Sequence, residues 1–173
     1  MPLKKYSTFG YLILAFIALC MSEVVCAAEV QKRPAPECQL NEWGTGDEVN
    51  WSSLQGSVVY VDFWASWCTS CVIAFPSLSA LQKEFRDQGL VVLGVNLDED
   101  PAEANRFLNR LPAGFRIVSD SSRSCPKSFL VEGLPTSYLI DRAGNIRYHH
   151  LGFRRDQMDQ LREEILLLLR ESR

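Results

Sequence analysis

Residues 57–71 read SVVYVDFWASWCTSC. The first half, Ser57 to Phe63, is β-branched and aromatic, follows Gly56, and predicts a central strand. The second half ends in Cys68 and Cys71, where a helical pattern begins that runs from about Ser70 to Asp87. Ile73, Phe75, Leu78, Leu81 and Phe85 are its candidate buried positions. A buried strand passing directly into a helix puts the cysteine pair at the helix N-terminus. The first-turn amide N–H groups have no intrahelical partners there, and with the helix dipole they favour negative charge. A thiol so placed ionises more readily and attacks faster near neutral pH. The three-residue spacing brings both sulfurs to one side, near enough for a disulfide. Cys68, at the outer end, is the expected attacking thiol, and Cys71, one turn inside, is expected to resolve the mixed disulfide.

The pattern continues outward from this stretch. Gly89 fits a helix stop, and Leu90 to Val95 is a near-continuous apolar run, as in a strand covered on both faces. Asp100-Pro101-Ala102-Glu103 reads as a capped helix start, with an end near Arg110. Phe115 to Val118 predicts a short strand and Pro126 to Phe129 a short helix. Thr136 to Ile140 and Ile146 to Leu151, joined by residues 141–145 (DRAGN), predict a hairpin. A last helix spans about Arg155 to Arg170, with Met158, Leu161, Ile165 and Leu168 on one face. The order β-α-β-α-β-α-β-β-α implies parallel crossovers and an antiparallel edge, hence an α/β fold whose mixed sheet is flanked by helices.

The chain has 173 residues, 47% of them hydrophobic, which suits one domain with a proper core and excludes a disordered chain. A net charge of −3 argues against a nucleic-acid partner, which calls for a basic face. Lys4 and Lys5 followed by the apolar run Tyr11 to Leu19 predict a signal peptide, residues 1–28, with small residues for cleavage at 25–28. An uncleaved anchor that tethers the domain to a membrane, or a lipid on Cys20 or Cys26, are the alternatives. All three place the domain in the periplasm or cell envelope, where disulfides persist. Residues 29–37 are expected to be a flexible lead-in, and 38–173 the folded domain. No apolar run of ~20 residues follows the N-terminus.

Beyond the leader, Cys38 and Cys125 accompany the Cys68/Cys71 pair. They either form a second, structural disulfide that pins the N-terminal segment to the domain or remain two unpaired thiols. Neither has the paired spacing of a zinc site, and no metal or other cofactor is expected. His149 and His150 adjoin on a strand, so they face opposite sides and do not readily share a metal. Asp62 lies in an apolar strand, where burial raises its proton affinity. It is a candidate proton acceptor for Cys71, or simply a satisfied core acid.

Residues 62–71 with Pro76 resemble the active-site segment of the thioredoxin-like family, and Gly133-Leu134-Pro135-Thr136 resembles the loop that carries the family's cis-proline. The lead from Glu37 to Gly56, with residues 94–96 and 138–141, is most similar to the exported TlpA/ResA branch. The resemblance covers essentially the whole chain after the leader and implies a thioredoxin-like fold with an N-terminal extension. It implies that Pro135 follows a cis peptide facing the cysteines, that Leu134 offers its backbone to an extended substrate segment, and that Trp67 borders the groove. It supports Asp62 as the proton acceptor. Many exported relatives instead place a glutamate three residues after the second cysteine, where this chain has Ala74.

The expected function is therefore a cell-envelope thiol-disulfide oxidoreductase with a Cys-Thr-Ser-Cys pair. It would reduce protein disulfides with electrons from a membrane-embedded donor. The resemblance implies clients such as apocytochrome c in cytochrome c maturation. A disulfide oxidase or isomerase, and a copper metallochaperone of the same fold, are the alternatives.

Overall fold

The computed structural model describes residues 32–171. The expected signal peptide and residues 29–31 lie outside them. The elements are β1 Arg33–Pro34, β2 Asn41–Glu42, β3 Val58–Trp64, α1 Thr69–Phe85, β4 Leu90–Asn96, α2 Pro101–Arg110, β5 Arg116–Ser119, α3 Cys125–Phe129, β6 Thr136–Ile140, β7 Asn145–Leu151 and α4 Met158–Arg170. They form one seven-stranded sheet in the order β1-β7-β6-β3-β4-β5-β2. The β3–β4 and β4–β5 pairs are parallel, and the others are antiparallel. This is the thioredoxin-like arrangement, with β3 at the centre because all seven of its residues are buried and both of its edges are paired.

Two short strands lengthen the order read from the sequence. Arg33–Pro34, within the expected lead-in, pairs with Ile146 and Asn145 at one outer edge, and the Ala35 N–H continues onto the Gly144 carbonyl at 2.9 Å. Asn41–Glu42 pairs with Ser119 and Val118 at the other edge. Two-residue pairings leave no periodic pattern to read.

The core lies on both faces of the sheet. Val58, Tyr60 and Trp64 of β3 pack with Phe75 and Leu78 of α1, Phe107 of α2, and Leu161, Ile165 and Leu168 of α4. Val59, Val61 and Phe63 point to the opposite face, against Leu40, Val49, Tyr138, and Cys125 and Phe129 of α3. Phe75, Leu78, Leu81 and Phe85 of α1 are buried as expected, but Ile73 is 39% exposed. It stands about 200° around the helix from the buried Cys71 at 100° per residue, so it turns outward. Asp100 caps α2 by accepting the Ala102 N–H at 2.9 Å, ahead of Pro101 in the first turn.

Candidate active site

β3 ends at Trp64, and four residues later Cys68 forms the N-cap of α1 in extended conformation. Its sulfur accepts the Cys71 N–H at 3.2 Å, and the Ser70 hydroxyl lies 3.6 Å away. One of the helix's orphan donors is therefore aimed at this sulfur, where it favours a thiolate. Cys68 and Cys71 are joined in a disulfide with Cα atoms 5.3 Å apart. Cys71 is fully enclosed, and Cys68, expected at an exposed end, shows only 5% of its surface.

The turn before Cys68 is held by Asp98, from the short loop between β4 and α2. The Asp98 carboxylate accepts the Ser66 N–H at 2.9 Å and the Ser66 hydroxyl at 2.8 Å. It also accepts the Asn96 side-chain amide at 2.7 Å. The signal for this contact was the parallel pairing: Trp64 stands opposite Asn96, so the chain just past β4 must meet the chain just past β3.

Trp67 is 71% exposed beside the cysteines. With Gly133 and Leu134 it lines a groove of about 390 Å3, whose other walls include Asn96, Asp98, Glu99 and Arg123. The Leu134–Pro135 peptide bond is cis. The Thr136 hydroxyl donates to the Gly133 carbonyl at 2.6 Å, and the Gly152 N–H donates to the Pro135 carbonyl at 2.8 Å, so the loop is tied at both ends.

Asp62 is 2% exposed, and its Oδ2 has no hydrogen-bond partner. Burial alone pushes its proton affinity up to about pH 8, because a carboxylate without water or a counter-charge is costly. Strand alternation puts Asp62 on the face of β3 that carries Tyr60 and Trp64, the face against which Cys71 and α1 pack. Gly94 stands directly opposite it. A Cβ there would come within 2.8 Å of the Phe115 ring and 3.2 Å of the Trp64 Nε1, so this position has room only for glycine.

Cys38 and Cys125 are joined in a second disulfide, 87 residues apart in sequence and 5.3 Å between Cα atoms. The Trp51 indole N–H donates to the Cys38 carbonyl at 2.7 Å, and the Cys125 N–H donates to the Asp120 carboxylate at 2.8 Å. Cys125 packs on the sheet face opposite Asp62. Trp67, next to Cys68 in the chain, thus shares a groove with Leu134, which precedes Pro135. Cys71 packs on the sheet face that carries Asp62, and Cys38 and Cys125 form a separate cross-link on the other face. Among the described residues, no group of three or more His, Cys, Asp or Glu is placed to hold a metal.

A disulfide heading the helix that follows the central strand, together with a cis-proline loop, defines a thioredoxin-like protein. The chain belongs to the Redoxin family, whose profile matches residues 30–165. It is 31% identical over 101 residues to the thiol-disulfide oxidoreductase ResA of Bacillus subtilis, a match covering 58% of this chain and 56% of that protein. It is 34% identical over 102 residues to the thiol:disulfide interchange protein DsbE of Pseudomonas aeruginosa, covering 58% and 54%. The chain therefore spans little more than half the length of these curated relatives. A solved structure from Chlorobium tepidum, assigned as a thiol:disulfide interchange protein DsbE, superimposes with a TM-score of 0.75 at 38% identity, covering 80% of this chain and 96% of that one.

Proposed function

We propose that this protein is a thiol-disulfide oxidoreductase of the cell envelope that reduces protein disulfides. The observation that carries the reading is the Cys68 sulfur, which accepts a first-turn amide N–H at the head of α1, with the unpartnered Asp62 buried on the same side. In the reduced enzyme the Cys68 thiolate attacks one sulfur of a client disulfide. The other client sulfur leaves as a thiolate and takes a proton from water. Cys71 then gives its proton to Asp62 and attacks the Cys68 sulfur, and the second client thiolate departs. Two electrons pass to the client, and the Cys68–Cys71 disulfide remains. A membrane-embedded dithiol donor would restore the reduced form. Trp67, Leu134 and Pro135 receive the client as an extended segment. The ResA and DsbE relatives support this class of chemistry, and clients of the apocytochrome c kind, an exported location and a leader at residues 1–28 complete the proposal. The opposite faces of His149, stacked on Tyr138, and His150, bonded to Glu164, give copper binding no support.

The test is insulin reduction with dithiothreitol, together with capture of client proteins by Cys71→Ser in cells. Turnover that Cys68→Ser removes, and mixed disulfides held at Cys68, are expected. Wild-type protein with no turnover above the dithiothreitol background would overturn the reading. A reduction potential as oxidising as those of strong disulfide donors would overturn its direction.

A further inference from the structure

Asp62 raises a question that the cysteine chemistry leaves open. A carboxyl that is 2% exposed has no direct way to return its proton to water. The sheet register supplies a route. Asp62 on β3 stands directly opposite Ser137 on β6, and Ser137 stands directly opposite His150 on β7. Directly opposed residues of antiparallel strands share a face, with Cβ atoms ~5 Å apart. The three therefore form a polar row across three adjacent strands, inside an otherwise apolar layer.

One direct hydrogen bond lies on the row, and unpartnered polar atoms stand at either end of it, Asp62 Oδ2 and His150 Nδ1. The Tyr60 and Ser137 hydroxyls are 2.6 Å apart. The Tyr60 ring lies 6.4 Å from the His150 ring, and both line a small cavity of about 50 Å3, closed by Gly152, Phe153, Met158 and Leu161. Such a volume takes one or more waters, each needing ~10–15 Å3, and the hydroxyls and imidazole supply polar partners. His150 Nε2 lies 2.8 Å from the Glu164 carboxylate, whose other oxygen accepts the Gln160 amide at 2.8 Å. With Nε2–H given to a carboxylate, Nδ1 carries the free lone pair. That Nδ1 is buried and has no partner. Its side chain is nevertheless 26% exposed, so the imidazole spans from the row to the solvent.

We propose that Tyr60, Ser137 and His150, with Glu164 holding the imidazole, form a proton path between Asp62 and the surface beside α4. The proton that Asp62 takes from Cys71 leaves its carboxyl for the nearer hydroxyl. Each hydroxyl accepts one proton and passes on another, through water in the cavity. His150 Nδ1 receives the last, and the imidazolium, balanced by the Glu164 carboxylate, releases a proton to solvent. The reverse sequence reloads Asp62 when the disulfide is reduced. These are positioning residues: none touches the client. The titratable and charged groups facing the row are Tyr60 from β3, Tyr148 and His150 from β7, Glu164 from α4 and Arg154 from the turn before it, with Cys71 on the α1 side. β4 contributes only Gly94 opposite Asp62.

The inference rests on the role proposed above for Asp62, and the test separates the two. The Asp62 carboxyl band, identified by its loss in Asp62→Asn, is followed by infrared spectroscopy after a pH jump on the full-length oxidised protein, with insulin turnover measured in parallel. Tyr60→Phe, His150→Ala and His150→Gln are each expected to slow protonation and deprotonation of Asp62 by about tenfold or more. Imidazole in the buffer should restore His150→Ala and leave Tyr60→Phe slow. His150→Gln keeps a hydrogen bond to Glu164 without a transferable proton, so slowing there shows that the proton, not the packing, is at stake. Wild-type exchange rates in His150→Gln, or a His150→Ala defect that imidazole does not relieve, would overturn the path. Absence of insulin turnover in the wild type would instead overturn the functional reading, while the infrared rates still judge the path.

Discussion

Cys68 and Cys125 each stand where a helix begins, and each is bonded to a second cysteine whose Cα lies 5.3 Å away. Their surroundings differ in the one respect that governs thiol chemistry. At α1 a first-turn N–H points at the Cys68 sulfur. At α3 the N–H of Cys125 is taken by the Asp120 carboxylate, whose negative charge opposes a second anion close by. The helices differ too, seventeen residues in α1 against five in α3, and so do the loops closed, three residues against 87. A helix start does not by itself make a cysteine reactive. What matters is whether its amide groups remain free to meet the sulfur. A cross-link that spans half the chain is, by contrast, suited to restricting the unfolded state.

The sharpest way to break this contrast is to remove each pair in turn. Cys68→Ser should lower insulin reduction by ~1000-fold or more, to the uncatalysed rate, because no nucleophile remains. Replacing Cys38 and Cys125 together by alanine should leave turnover within about threefold. It should cost ~2–5 kcal/mol of stability, read from denaturant midpoints. If the second replacement also abolished turnover, the division of labour would be wrong. Graded dithiothreitol with alkylation mapping gives a second measure: Cys68 and Cys71 should be labelled well before Cys38 and Cys125.

Asp62 sharpens the comparison from beneath. In the folded protein its carboxyl is half ionised only at about pH 8, so the ionised minority accepts the Cys71 proton near neutrality. An unfolded aspartate, by contrast, is half ionised at pH ~3.9. Between those values the native state holds more protons than the unfolded one, so stability falls as pH rises, by at most ~1.4 kcal/mol per pH unit from this group. Asp62→Asn should remove that slope between about pH 4 and 8 and stabilise the protein most at the alkaline end. Urea titrations of both proteins across the range will show it, and parallel slopes would refute the buried acid. The smallest effect is expected at Asp98→Ala, which frees the Ser66 turn. A loss of ~1–2 kcal/mol and a few-fold slower turnover are expected, both measurable beside the wild type.

Much of this was legible in the sequence because the decisive patterns are local. Residues 57–71 announced strand, turn and helix in order, and β3 and α1 are where the periodicity put them. Most helix ends fell within a residue or two, as where Gly89, at φ 99°, supplies a backbone stop signal, but α4 begins at Met158, three residues past the expected Arg155. The edge strands β1 and β2 were not legible, because two residues carry no period. Ile73 was misplaced because it is apolar at a position that turns outward, where it stays 39% exposed. Asp98, Ser137 and Glu164 escaped notice for another reason. Their partners lie 32, 77 and 14 residues away, at Ser66, Tyr60 and His150, and only strand register and the packing of α4 on the sheet bring them together.

The two shortest strands have a consequence for how the sheet meets other extended chains. β1 and β2 both come from the ten residues Arg33 to Glu42, yet they occupy opposite margins of the sheet. One leading segment thus clasps both flanks, and Pro34 at one margin has no amide to offer a newcomer. An extended chain that approaches from the side finds a hem two residues long, and lateral stacking into fibres is discouraged. Both outer margins of the sheet are thus closed by the same ten residues, and the groove beside Trp67 and Leu134 lies between them in the strand order.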